Sequence, residues 1–221
     1  MSGTARESEF LVLSPNDVPF PIAMQVQVAG GDMTLPWSSS LTLQDMVISL
    51  SLEGVTMAKD MWALFDPGLV LPRDSATVVL DMSAKVKNFV NWLDIRAVQA
   101  LEDGNDTPAE LHALTLNTLT VDMAGARLTG AGSASFDNSD METYGGFPKP
   151  TGAFDISLQG GNGLLDKLVS AGLLPEADAT GARMMLGVVA KPDPDAGEDA
   201  MKSRLEITQE GHILANGQRL K

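Results

Sequence analysis

Apolar and polar residues alternate with a period of two along much of this chain, the pattern of strands that turn one face to a core. Ile22, Met24, Val26 and Val28 alternate with Ala23, Gln25, Gln27 and Ala29, and Gly30-Gly31-Asp32 reads as the end of that strand. After a turn at Pro36-Trp37, Leu41 and Leu43 keep one parity while Met46, Ile48, Leu50 and Leu52 keep the other. A bulge or break near Gln44-Asp45 would restore a single buried face. Ala76, Val78, Leu80, Met82, Ala84 and Val86 then share one face of a long amphipathic strand, opposite Thr77, Asp81, Ser83, Lys85 and Lys87.

Further along, 114–123 and 126–136 read as a hairpin turned at Gly125. Its second strand carries Gly130, Gly132 and Ala134 on one face, so either another element packs close there or the sheet bends sharply. Phe154, Ile156 and Leu158 give another strand, and Ser203, Leu205 and Ile207 begin a terminal strand turned at Glu210-Gly211 into His212-Ile213-Leu214. Asn216-Gly217 predicts a tight two-residue turn with positive backbone angles.

The helical period appears in fewer places. Met61, Trp62, Leu64 and Phe65 cluster on one side of a short helix over 57–65, stopped by Asp66-Pro67-Gly68. The pattern blurs over 89–101 into a turn or helical piece. Gly160-Gly161-Asn162-Gly163 leads into a helix with Leu164, Leu165, Leu168, Val169 and Leu173 on one face. A second helix over 176–189 spaces Ala182, Met185, Leu186 and Val189 for burial.

These elements predict an α+β, mainly β protein: a long curved antiparallel sheet with a few helices packed on one face. Residues 1–21, broken by Pro15, Pro19 and Pro21, read as a polar arm or connector, and 22–221 as a single β-rich domain. The order of paired strands, helix and return strand recurs on either side of a seam at 102–108, as two similar halves would leave it. About five or six strands offer roughly three to six apolar side chains each, against about four or five from each later helix. An apolar groove is therefore expected on the concave face, covered incompletely by the helices at 164–173 and 176–189.

Charge narrows the partners. Twenty-nine acidic residues against 15 basic ones give a formal charge of -14, which repels nucleic-acid phosphates and anionic membranes. No apolar run reaches the ~20 residues of a membrane span, and 1–7 lack the apolar stretch of a secretory signal, although an upstream segment could have been removed. The absence of cysteine excludes disulfides and thiolate chemistry.

No catalytic, cofactor-binding or metal-ligating residue emerges from the search for chemistry. His112 and His212 lack metal-ligand spacing and read as polar surface. No serine lies in a nucleophile-elbow motif. Gly160, Gly161 and Gly163 match neither phosphate-binding fingerprint and are better explained by helix entry. Asp193, Asp195, Glu198 and Asp199 gather in a loop without the ordered spacing of a calcium site. Met24, Met46, Met61, Met82 and Met185 fall on apolar faces, where core filling is the expected role.

The ending 205–220, from Leu205-Glu206-Ile207 through Asn216-Gly217 to Leu220, resembles that of the alphaproteobacterial domain of unknown function 2125 family. Gly152-Ala153-Phe154-Asp155-Ile156-Ser157-Leu158, the leucine-rich helix and Ala182-Arg183-Met184-Met185-Leu186 are similar too, so the likeness covers roughly 110–221. The resemblance implies an envelope protein in the periplasm, with a long antiparallel sheet distantly similar to AsmA-like proteins of lipid handling. It implies no catalytic residue and no cofactor.

Three functional classes stay open. The first is a non-enzymatic envelope module that binds a lipid-like hydrophobic ligand or serves as a scaffold. The second is a protein-protein interaction module, and the third a carboxylate-dependent hydrolase. A closed core without a cavity would favour the second, and carboxylates converging in a pocket the third.

Overall fold

The computed structural model describes residues 2–12, 22–102 and 107–221, with side chains from residue 25 onward except those of Phe65 and Glu102. Strands β1 (Ser2–Val12), β2 (Ile22–Thr34), β3 (Gln44–Met57), β4 (Ala76–Asn88), β5 (Ala109–Met123), β6 (Ala126–Asp137) and β7 (Lys149–Gln159) pair in chain order. Helices α1 (Lys59–Phe65) and α2 (Ile95–Glu102) lie in the β3–β4 and β4–β5 connections. After β7 come α3 (Gly161–Ser170), α4 (Glu176–Val189) and the short β8 (Lys191–Pro192). Strands β9 (Ala200–Ile207), β10 (Ile213–Ala215) and β11 (Gln218–Arg219) then complete one open sheet, in which β9 pairs with β7 on one side and with β8 and β10 on the other. Every pairing is antiparallel. The sheet is thus the mainly β, helix-decorated architecture that the alternation predicts.

The register sorts side chains cleanly. Leu50 faces Leu80, which faces Leu119; Leu119 faces Gly130 and Gly130 faces Ile156, so these residues share an inner face. Asp45–Lys85, Ser49–Asp81, Thr120–Thr129 and Asp155–Arg204 pairs lie on the outer one. Three irregularities keep the apolar residues together where their parity changes, one of them at His112 in β5, between the partners of Lys85 and Val86. In β5 the register shifts at 117–118, which brings Leu116 and Leu119 to one side, and the Asn117 amide donates to Asp81 Oδ1 at 3.1 Å. In β3 the shift falls between Leu52 and Val55, at Gly54 with φ +65°. No bulge is needed at Gln44-Asp45: β3 begins there, and Leu41 and Leu43 stay outside it, exposed.

Several expected boundaries move. β2 does not stop at Gly30-Gly31 but continues to Thr34, because its longer partner supplies Ser51, Leu50 and Ser49 opposite those residues. Within the stretch read as an arm, Ser2–Val12 adds the edge strand β1. Pro15, Pro19 and Pro21 lie outside the described residues, as does most of the 102–108 seam, on either side of which β4 and β5 pair along their length. Leu64, expected on the packed side of α1, is exposed.

On the bare face of β6 the neighbouring strand comes very close. A methyl group on Gly132 would lie 2.4 Å from the Ala153 carbonyl oxygen, and one on Gly152 would lie 2.1 Å from that of Ser133. Only residues without Cβ let β6 and β7 approach this closely on that face.

Helices α3 and α4 cover the inner face at one end, where the β5–β6 turn and the end of β7 lie. Gly160, with φ +69°, takes the chain into α3 so close to that turn that a side chain would strike the Gly125 carbonyl. The C-terminal carbonyl of α4, at Val189, accepts from inner-facing Ser203 Oγ at 2.5 Å and from the Asn216 amide at 3.0 Å. Arg183 joins the helices by pairing with Asp166 and Glu176. Ala179 is fully buried, and Ala182, Leu186 and Val189 continue its stripe. Met185, expected inside, is 64% exposed beside Met184 and Val188, because it sits on the outward flank of that stripe. The Asn216-Gly217 turn has φ values of +52° and +81°, as its sequence predicts.

Candidate functional site

The end of the sheet away from α3 and α4 is organised by one residue. Asn88 closes β4 on the inner face and is only 1% exposed. Its Nδ2 donates to the carbonyls of Pro36 (2.8 Å) and Ser38 (3.0 Å), and its Oδ1 accepts from the Val90 N–H (3.3 Å) and from Trp92 Nε1 (3.0 Å). All four side-chain contacts bridge segments that are otherwise irregular, so a polar group buried here meets its hydrogen-bonding needs. Backbone bonds reinforce the junction: Ser40 N–H donates to the Asn88 carbonyl at 2.7 Å, and Trp92 N–H to that of Trp37 at 3.0 Å.

These contacts hold the segment before β3 against the segment after β4, leaving an apolar recess of about 250 Å³ between them. Met46, Val86 and Ala109 from β3, β4 and β5 form its floor, and Leu35, Pro36, Trp37 and Trp92 its walls, with Asn88 at the junction. Both indoles are exposed, and the lining is almost wholly apolar. A space lined this way takes hydrocarbon or aromatic groups and offers little to a charged ligand. Its volume falls just below the ~300–1,000 Å³ of small-molecule sites, so it suits the end of one acyl chain or a single ring system.

A wider depression on the outer face, about 590 Å³, lies over Thr115, Ser133, Ser135, Thr151 and Ala153, with Arg204 at its side. Small side chains make it. Arg204 is committed to Asp155 (2.9 Å) and Glu206 (2.8 Å), which raise its pKa, with the Glu206 hydrogen bond the larger cause.

The groups weighed for chemistry lie apart. His112 contacts Glu110 at 3.0 Å in β5, while His212 stands before β10 with its N–H on Thr208. In the acidic loop, Asp193 pairs with Lys202 at 2.8 Å. Asp199 instead caps α3, accepting from the N–H groups of Asn162 (3.2 Å) and Gly163 (2.8 Å) and from the Asn162 amide (2.9 Å). Burial works to raise the Asp199 carboxyl, but these hydrogen bonds outweigh it and hold the pKa below its ordinary value. Among the described residues no three His, Asp or Glu side chains converge as a metal site would require. Gly160, Gly161 and Gly163 serve the entry into α3.

The expected groove beside α3 and α4 is thus not where the apolar recess lies; it forms at the other end of the sheet. Trp37, Asn88 and Trp92 escape a reading by periodicity, since all three stand at or beyond strand ends. The available signal is compositional: two of three tryptophans fall in connections rather than in regular elements.

No helix among the described residues is long and apolar enough to cross a membrane. No curated protein and no solved structure matches the chain. A family model does match, over residues 11–215, and so extends well beyond the 110–221 stretch that carries the resemblance. With nearly the whole sheet inside that match, the chain belongs to the family described as "Uncharacterized protein conserved in bacteria (DUF2125)".

Proposed function

We propose that this protein is a non-enzymatic module of the bacterial cell envelope that binds the apolar end of a lipid-like ligand in the recess between Trp37 and Trp92. The observation that carries the reading is the recess itself: about 250 Å³, apolar on nearly every side, and held open by a buried asparagine rather than filled by side chains. The inner face supports it, since half-buried Met46 and Val86 continue from the recess floor into the apolar rows of β3 and β4. The periplasmic setting rests on the family resemblance and is tested by alkaline phosphatase fusions to the full gene product, which are active only outside the cytoplasm.

Tryptophan fluorescence tests the ligand. A bromine-labelled fatty acid quenches Trp37 and Trp92 on binding, while Trp62, on α1 at the opposite end of β4, reports background. The variant W37F/W92F, which keeps only Trp62, should lose most of the quenching. Absence of quenching in the native protein, together with no lipid retained in native mass spectrometry, removes this reading.

A protein-binding role is the second reading, favoured by the outward flank of α4, where Met184, Met185 and Val188 are exposed at helical spacing. Cross-linking from residue 184 in cells, with products identified by mass spectrometry, distinguishes it.

A further inference from the structure

Around the recess, the protein turns apolar side chains outward. Leu41 (84% exposed), Leu93 (74%) and Ile95 (73%) are the three most exposed large apolar residues among those described. Leu41 and Leu93 lie in the two segments that Asn88 ties together, which also carry the exposed indoles of Trp37 and Trp92, and Ile95 opens α2 just beyond. The backbone bonds Ser40 to Asn88 and Trp92 to Trp37 fix both segments, so this rim is a built surface rather than a pair of loose loops.

Charge distinguishes this surface from the rest. One residue in five is charged and the chain carries -14 overall, yet neither 33–44 nor 88–93 contains a charged residue. A basic protein partner would find no carboxylate within these two stretches, Asp94 coming only after them, and an acidic partner or an anionic bilayer would be repelled by the remainder of the molecule. An uncharged lipid surface meets neither objection. Indoles flanked by leucine and isoleucine are the side chains that settle at the boundary between headgroups and acyl chains.

We infer that the rim formed by 37–43 and 89–93 docks on the surface of an uncharged or zwitterionic bilayer, bringing the mouth of the recess to the lipid from which its ligand is drawn. This inference rests on reading the recess as an acyl-chain site. Docking solves the delivery problem for a ligand almost insoluble in water: the chain end passes from bilayer to recess without crossing solvent.

Sedimentation with phosphatidylcholine vesicles tests it, using the described chain and two exposed-site variants, Leu41→Glu and Leu93→Glu. Native protein should co-sediment with these vesicles, and less with phosphatidylglycerol vesicles at low salt. Each variant should partition roughly tenfold less or worse, since an inserted leucine contributes ~1.5–3 kcal/mol of apolar burial. Both should keep native melting temperatures and native quenching by soluble bromine-labelled fatty acid. If native protein ignores phosphatidylcholine vesicles but still binds the fatty acid, docking is wrong and the ligand reading stands. If the variants bind vesicles as the native protein does, or binding needs anionic lipid, the rim is not the membrane surface. Loss of both activities in native protein overturns both proposals.

Discussion

Asn88 illustrates how one side chain substitutes for regular structure. Its amide reaches across 50 and 52 residues of sequence to Ser38 and Pro36, and its carbonyl oxygen holds the Trp92 indole. Replacing it with alanine leaves those carbonyls and the indole N–H without a partner in a buried place, a loss of ~1–3 kcal/mol for each group that finds no water. Asn88→Ala should therefore lower denaturant stability by at least ~2 kcal/mol and should shift the Trp92 emission to the red. An unchanged unfolding midpoint would contradict the bridging role. Asp140 acts similarly on the connection between β6 and β7. The Thr143 N–H, then the Lys149 ammonium and the Thr143 hydroxyl, hold its carboxyl at about 2 instead of 3.8. A pKa lowered by folding adds stability above the unfolded value, and that stability is lost as the pH falls through the folded value. Acidification from about pH 4 to pH 2 should thus weaken the native protein, and Asp140→Asn should flatten this part of the stability profile.

Among the elements, β6 and β7 make the most demanding fit. Gly132→Ala and Gly152→Ala each press a methyl against neighbouring backbone, and overpacking of this kind typically costs ~1–3 kcal/mol. Gly130→Ala meets nothing closer than 3.7 Å and should be nearly silent. Thermal unfolding of the three variants checks the contrast, and equal melting temperatures would show that the close approach of the strands costs nothing. Strands were legible wherever alternation was unbroken, as in Ala76 to Val86, and so was the Asn216-Gly217 turn, whose chemistry is local. β2 was misread at Gly30-Gly31 because glycine signals a stop only when no partner strand runs past it. Met185 was misplaced because an amphipathic helix lying on the end of a sheet buries a narrower stripe than its sequence suggests. Leu80 on β4 was expected to be core and Asp81 surface. Both are half-buried, since the sheet is covered by helices only in part, so Leu80→Asp should still destabilise by more than Asp81→Asn, whose amide oxygen can still accept from Asn117. The recess lay beyond any periodic reading, because long-range hydrogen bonds of Asn88 create it.

The molecule as a whole wraps itself incompletely. A compact chain of 23.3 kDa exposes roughly 9,700 Å² by the usual scaling of area with mass, whereas this one exposes 13777 Å². Only eight apolar residues are buried among those described, most of them incompletely, so the m-value of denaturant unfolding should be smaller than for compact chains of this length. A full-sized m-value would show that something covers the sheet in solution. Strand order adds a further consequence. Each of β2 to β6 is held only by the strands before and after it in the chain, and β1 and β11 lie at opposite edges of the sheet. Cooperativity then passes from neighbour to neighbour, much as in a repeat protein, and amide exchange should be slowest in β4 and β5 and fastest at β1 and β11. Stretched by its termini, such a sheet is loaded across its edges like an opening zipper, so its strands should peel away singly, as a train of small extension steps rather than one abrupt rupture.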